Sequence, residues 1–155
     1  MIKVVASVEA PLHTEDIAKR IKDAYGVSRA GSRISARIEE ALHFSAQRQF
    51  IELRGGFVYQ GTAHPIEVRD RSTMEVSDRK IELVSPEEID MALVQVVRLG
   101  FSLTPVDAVA SAISLPGFGR ATQKISSVVE DRLERLTKAQ RLASSNGALT
   151  LPPEE

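Results

Sequence analysis

The chain has 155 residues, of which 43% are hydrophobic and 26% charged, the balance of a soluble globular protein with room for one ordinary domain or two small ones. There is no cysteine, which excludes disulfides, thiolate metal sites and cysteine nucleophiles, and no apolar run approaches the roughly 20 residues that span a bilayer. A formal net charge of −1 excludes a protein that coats itself in nucleic acid through bulk charge, so a nucleic-acid site would have to be a local stripe. No secretory signal is evident, and a cytoplasmic, membrane-free protein is expected.

The first predicted element is a helix carrying Ile2, Val5 and Val8, followed by a short extended piece, "APLH", that inserts Leu12. A second helix starts at a cap supplied by His13, with Asp16 in its first turn and Ile17, Ala18, Ile21 and Ala24 as its buried face. "YGVS" ends it, with Gly26 as a left-handed cap. The third helix lies in "GVSRAGSRISARIEEAL", residues 26–42. At about 100° per residue, Ile34, Ile38, Ala41, Leu42 and Ser45 group on one side. Arg29, Arg33 and Arg37 recur every fourth residue on the other, with Ser32 nearby. "FIELRGGFVYQ" then reads as two strands around Gly55-Gly56, a dipeptide that supplies the positive φ angles of a two-residue hairpin. Phe44, Phe50, Phe57 and Tyr59 are expected to fill the core beneath that hairpin.

Residues 61–84 form a polar stretch without helical periodicity. The alternation of Ile66 with Val68 and of Ile81 with Leu83 suggests extended segments. "SPEEI" opens a fourth helix, with Ser85 as cap, Pro86 in the first turn and Glu88 placed to reach back. "LTPVDAVASAI" begins a fifth at Thr104, "LPGFG" breaks it at Gly117, and a sixth helix runs toward Leu133. "RLASSNGALTL" closes with a second hairpin around Asn146-Gly147.

The second half repeats the first. Shifted by 91 residues without gaps, residues 26–42 fall on 117–133 with seven identities in seventeen positions, among them Gly26/Gly117, Arg29/Arg120, Ile34/Ile125 and Leu42/Leu133. Arg33 meets Lys124, whereas Val128 replaces Arg37. Such a repeat takes precedence over local propensity. Helix, short strand, helix, helix, hairpin is the order of a winged helix-turn-helix domain, in which the third helix recognises DNA and the hairpin is the wing. The expected fold is therefore mainly α with small β-hairpins (α+β), built as tandem duplicated winged helix-turn-helix units packed together. Their expected bounds are residues 1–60 and 85–151, with an extended linker at 61–84 and a tail at 152–155.

Catalysis is not expected. "GFGRATQK" lacks the Gly-Lys-Ser/Thr ending of a phosphate-binding loop, and His13, His43 and His64 share no metal-ligand spacing. Paired acids such as Glu39-Glu40 and Glu87-Glu88 read as solvated helix residues. No cofactor and no metal is implied. The basic stripe remains: Arg29, Arg33 and Arg37 for phosphates or guanine edges, and Ser28 and Ser32 near the helix start for phosphate. Arg54 would grip from the wing, with Arg120 and Lys124 as the counterparts in the second unit.

"HTEDIAKRIKDAYGVSRAGSRISARIEEAL", followed by "LRGGFVY" and "VRDRS", resembles an uncharacterised bacterial domain found near the C-terminus of large superfamily I DNA helicase-like proteins. The resemblance implies an accessory module of an ATP-driven translocase whose motor lies elsewhere in a longer polypeptide, this chain being a fragment of it. Two functions are left open. One is a duplex-DNA binding module that contacts phosphates through the third helix and wing of the first unit. The other is a protein-interaction module docking on the helicase motor or another subunit without DNA. Neither reading specifies an oligomeric state.

Overall fold

The computed structural model describes residues 2–26, 32–60, 65–100 and 103–153. Over these the chain is a mixed α+β protein, mostly helical, with small antiparallel sheets. It divides into two compact units, Met1–Ile66 with Leu83–Ser85, and Glu67–Glu82 with Pro86–Glu155. No helix among the described residues is long and apolar enough to cross a membrane.

The first unit runs α1 (Ile2–Glu9), β1 (Leu12–His13), α2 (Thr14–Ala24), α3 (Ser32–Gln47), β2 (Ile51–Arg54) and β3 (Phe57–Gln60). Its sheet has the order β1-β3-β2, with Leu12 opposite Val58 and Leu53 opposite Val58 from the other side. The hairpin turns on Gly55 (φ 57°) and Gly56 (φ 83°), the two positive angles that a primed turn demands. α1 buries Ile2 and Ala6, four residues apart, and α3 buries Ile38 and Leu42 at the same spacing. These meet Leu12, Ile17, Ile51 and Val58 in one core. His13 is the cap expected of it: its Nδ1 accepts the Glu15 amide N–H at 3.2 Å. The same ring meets Phe57 edge-on at 5.0 Å, and the Thr14 N–H donates to Gly56 O at 2.9 Å, so α2 starts tied to the hairpin turn.

The second unit runs α4 (Pro86–Leu99), α5 (Pro105–Ser114), α6 (Gln123–Lys138), β4 (Ala143–Ser145) and β5 (Ala148–Thr150). Thr104 caps α5 by accepting the Asp107 N–H, and Thr122 caps α6 by accepting that of Ile125. Leu93, Ala108, Ala112, Val129, Leu136 and Leu142 lie at the centre of its buried set.

Backbone features recur at the 91-residue spacing. α3 and α6 coincide end for end under the shift, and Gln49 and Gln140 both stand at φ 58°. Gly26 (φ 66°) matches Gly117 (φ 89°), and Asn146-Gly147 (φ 52° and 80°) matches Gly55-Gly56. The Phe50 N–H donates to Ser45 O, as that of Arg141 does to Leu136 O. Leu12 pairs with Val58, and Leu103 forms a bridge with Leu149.

Several expectations need correction. Phe57 and Tyr59 are buried, but Phe44 and Phe50 are 55% and 45% exposed. Phe44 lies two residues, or about 200°, beyond Leu42 on α3, so burying Leu42 turns it outward. Ala41, at 100° from Leu42, and Ala24 at the end of α2 are exposed as well, and so is Ile34 in the first turn of α3. Residues 65–80 form no strand, and Ile81–Leu83 is a 3-10 turn. Glu88 is not solvated; it is 1% exposed.

That buried carboxylate takes both guanidinium nitrogens of Arg71, at 2.6 and 2.7 Å, and the Arg69 N–H at 2.8 Å. Asp90, also buried, takes Arg132 in the same two-pronged way at 2.7 and 2.6 Å. An ion withdrawn this far from water is tolerated only when paired, and loss of one partner strands the other. Glu88→Gln is expected to lower stability by about 3–5 kcal/mol in urea unfolding. The double change Arg71→Met/Glu88→Leu, which removes both charges, should cost less than that single substitution.

Candidate nucleic-acid interface

The outward face of α3 follows from its inward one. With Ile38 and Leu42 fixed in the core, Arg33 and Arg37 project on the opposite side, one turn apart, and both are exposed. Among the described residues Arg33 has no ion-pair partner. Arg37 Nη1 reaches Glu40 Oε2 at 3.0 Å across a well-exposed i, i+3 pair. Such a pair contributes about 0.3–0.5 kcal/mol, so a polyanion competes with it easily. The first turn of α3 carries no acid to repel an anion. Ser32 opens the helix, while Ser28 and Arg29 lie outside the described residues.

Arg54 ends β2 on the hairpin. Its Nη1 stands 3.6 Å from Glu52, and its guanidinium lies 4.2 Å from the centre of the Tyr59 ring. The aromatic face holds this arginine at the hairpin while leaving it half exposed.

Farther along α3 the chemistry changes. Ala36, Glu39, Glu40, His43, Phe44 and Gln47 line a depression of about 530 Å³, and the Arg48 guanidinium lies 5.2 Å from the Phe44 ring. The helix is therefore basic in its first two turns and mixed acidic and aromatic in the rest. Among the described residues no three of His, Asp and Glu group as metal ligands.

In the second unit Arg120 is exposed in the turn before α6. Lys124 is ion-paired with Glu82. Residues 69–79 lie on that turn: the Arg71 N–H donates to Pro116 O at 3.0 Å, and Arg79 Nη1 donates to Gly117 O at 2.8 Å. Asp70 accepts both the Ser72 N–H (2.7 Å) and its hydroxyl (3.0 Å) in an Asx turn. Those two donors, the N–H first, hold the Asp70 carboxyl below its ordinary value.

The sequence assigns no role to Asp70, Arg71 or Glu82, and Glu88 is expected there only as a solvated residue at the start of the fourth helix. The signal for Glu88 and Asp90 is positional. Glu88 lies four residues before buried Ala92 and Asp90 seven before buried Val97, so both acids sit on the apolar arc of α4 and require buried cations. The partner arginines lie 17 and 42 residues away, at separations that no local pattern encodes.

A family model described as "Protein of unknown function (DUF3320)" matches residues 1–36, a span that takes in α1, α2 and Arg33 but ends before Arg37. Neither the curated proteins nor the solved structures contain a match to this chain.

Gly117 meets two demands at once. Its φ is 89°, and a Cβ there would stand 2.4 Å from Ser72 N and 2.9 Å from Asp70 Oδ1. Gly26 has the positive φ, but nothing lies within 4 Å of its would-be Cβ among the described residues. Gly117→Ala is expected to cost more stability than Gly26→Ala, whose penalty is about 1 kcal/mol of backbone strain. Thermal unfolding of the two variants measures the difference.

Proposed function

We propose that the chain is a tandem pair of winged helix-turn-helix units and that the first is an accessory duplex-DNA binding module of a helicase-like protein. The winged-helix reading is supported by the element order of the first unit, by the Leu103–Leu149 bridge at the place of the short strand in the second, and by the left-handed turns that recur at one spacing. The observation that carries the function is the pair Arg33 and Arg37, exposed together on the outer face of α3. Contacts are chiefly to phosphate, with Arg29, four residues before Arg33 in the sequence, as a third candidate and Arg54 gripping from the hairpin. Helicase association rests on the resemblance described above and on the partial family match at residues 1–36. No catalytic step is assigned to this chain; ATP-driven chemistry belongs to a motor elsewhere.

One observation favours a second reading. Phe44 is exposed on the same helix beside Glu39 and Glu40, a combination better suited to a protein surface than to phosphates. On that reading the module docks on the motor or another subunit, and it binds no duplex at physiological salt.

Titration of duplex DNA at several salt concentrations separates the two. Phosphate contacts from Arg29, Arg33, Arg37 and Arg54 predict a slope of log affinity on log salt between about −3 and −4. Changing Arg29, Arg33 and Arg37 together to Ala should lower affinity at least about tenfold and flatten that slope. Salt-independent binding, or a triple variant that binds like the parent, removes the DNA reading and leaves the docking one.

A further inference from the structure

Residues 67–82 carry the turn Arg69-Asp70-Arg71-Ser72, and the proposed DNA contact makes no use of it. We propose that this segment is a built-in strap that closes the α5–α6 corner of the second unit to polyanions, so that duplex DNA is taken by the first unit alone. The inference rests on the DNA-binding reading above and deepens it by saying which of two repeated surfaces is available.

The strap puts negative charge where a phosphate would approach. Lys124 occupies the position equivalent to Arg33, and its ammonium is engaged by Glu82. Asp70 lies against Gly117, with its Oδ1 2.9 Å from the point where a Cβ would stand. Its carboxylate accepts two hydrogen bonds from Ser72, which favour the charged form. Each of these groups alone is a surface charge that DNA could displace. What fixes them is underneath: Arg71, 6% exposed, is clamped on buried Glu88, and the backbone of the strap bonds Pro116 while Arg79 bonds Gly117. Lifting the strap would uncover the paired ions, so a phosphate does not gain the corner by breaking Lys124–Glu82 alone. The contrast is at the shifted positions. Among the described residues nothing lies within 4 Å of a Cβ on Gly26, and no carboxylate pairs with Arg33.

The test uses the full chain and a 20-base-pair duplex at three salt concentrations. Four proteins are compared with the parent: Arg33→Ala, Arg120→Ala/Lys124→Ala, the neutral strap Asp70→Asn/Glu82→Gln, and the neutral strap combined with Arg120→Ala/Lys124→Ala. The Asp70→Asn change keeps an acceptor for Ser72 and leaves the buried Arg71–Glu88 pair untouched, so the strap stays folded. Expected are an affinity loss of about threefold or more for Arg33→Ala and a change below about twofold for Arg120→Ala/Lys124→Ala. The neutral strap should gain about threefold or more at the lowest salt, with a slope steeper by about one to two. That gain should vanish in the combined variant. If Arg120→Ala/Lys124→Ala loses as much as Arg33→Ala, or the neutral strap gains nothing while the parent binds, the strap proposal is overturned and the DNA reading stands. Binding by the neutral strap but not by the parent keeps the strap and removes the first unit as the DNA site. Binding by neither removes both.

Discussion

The burial of two aliphatic side chains one turn apart on the third helix of each unit governs what the rest of the surface can be. Ile38 and Leu42 do this in α3, and Val129 and Leu133 in α6. Once that stripe faces inward, a period of 3.6 residues leaves no choice about which side chains face out. Arg33 and Arg37 are displayed because their neighbours are hidden, and Phe44 is displayed for the same reason although it is apolar. An exposed aromatic ring on α3 is thus a consequence of geometry, partly relieved by the Arg48 guanidinium beside it.

The two units meet the cost of a small core differently. The first unit closes its sheet with β1 as well as a hairpin, and it ties the N-terminus of α2 to the Gly56 turn through His13 and Thr14. The second has a single bridge at Leu103 in place of the paired strand; it recruits residues 67–82 through the buried Arg71–Glu88 pair, and a second pair, Arg132 with buried Asp90, joins α6 to α4. Buried ion pairs contribute little net stability against apolar replacements, but they define geometry sharply, because a displaced partner leaves a charge in a dry place. A segment held in that way is positioned, whereas one held only by exposed pairs would not be. Asp70 and Glu82 are positioned in this way at the corner of the second unit, Asp70 against Gly117 and Glu82 against Lys124.

Much of the architecture was legible before any coordinate. The caps at His13 and Thr104, the left-handed Gly26 and Gly117, and both hairpin turns rest on interactions within a few residues, and each residue type carried its own conformational signature. The exposure of Arg33 and Arg37 was legible for the same reason, since it follows from the period of the isoleucines. Less legible were the aromatic residues. Hydrophobicity alone placed Phe44 and Phe50 inside, while the angular position of Phe44 relative to Leu42 already pointed outward. The Glu-Glu pair of "SPEEI" misled in the opposite sense. A solvated reading suits most Glu-Glu pairs, but Glu88 and Asp90 lie on the arc that buries Ile89 and Leu93.

By itself the sequence determined the order of elements, the turn chemistry, the 91-residue repeat and the face of α3 that carries its arginines, because all of these depend on residue type and local period. Only the tertiary structure decided that Arg71 enters the second unit to meet Glu88, that Glu82 is spent on Lys124, and that Gly117 must leave room for Ser72. Those are encounters between residues 17 to 45 positions apart in the chain. Their partners are chosen by packing in three dimensions, and a one-dimensional pattern holds no record of which distant charge will arrive.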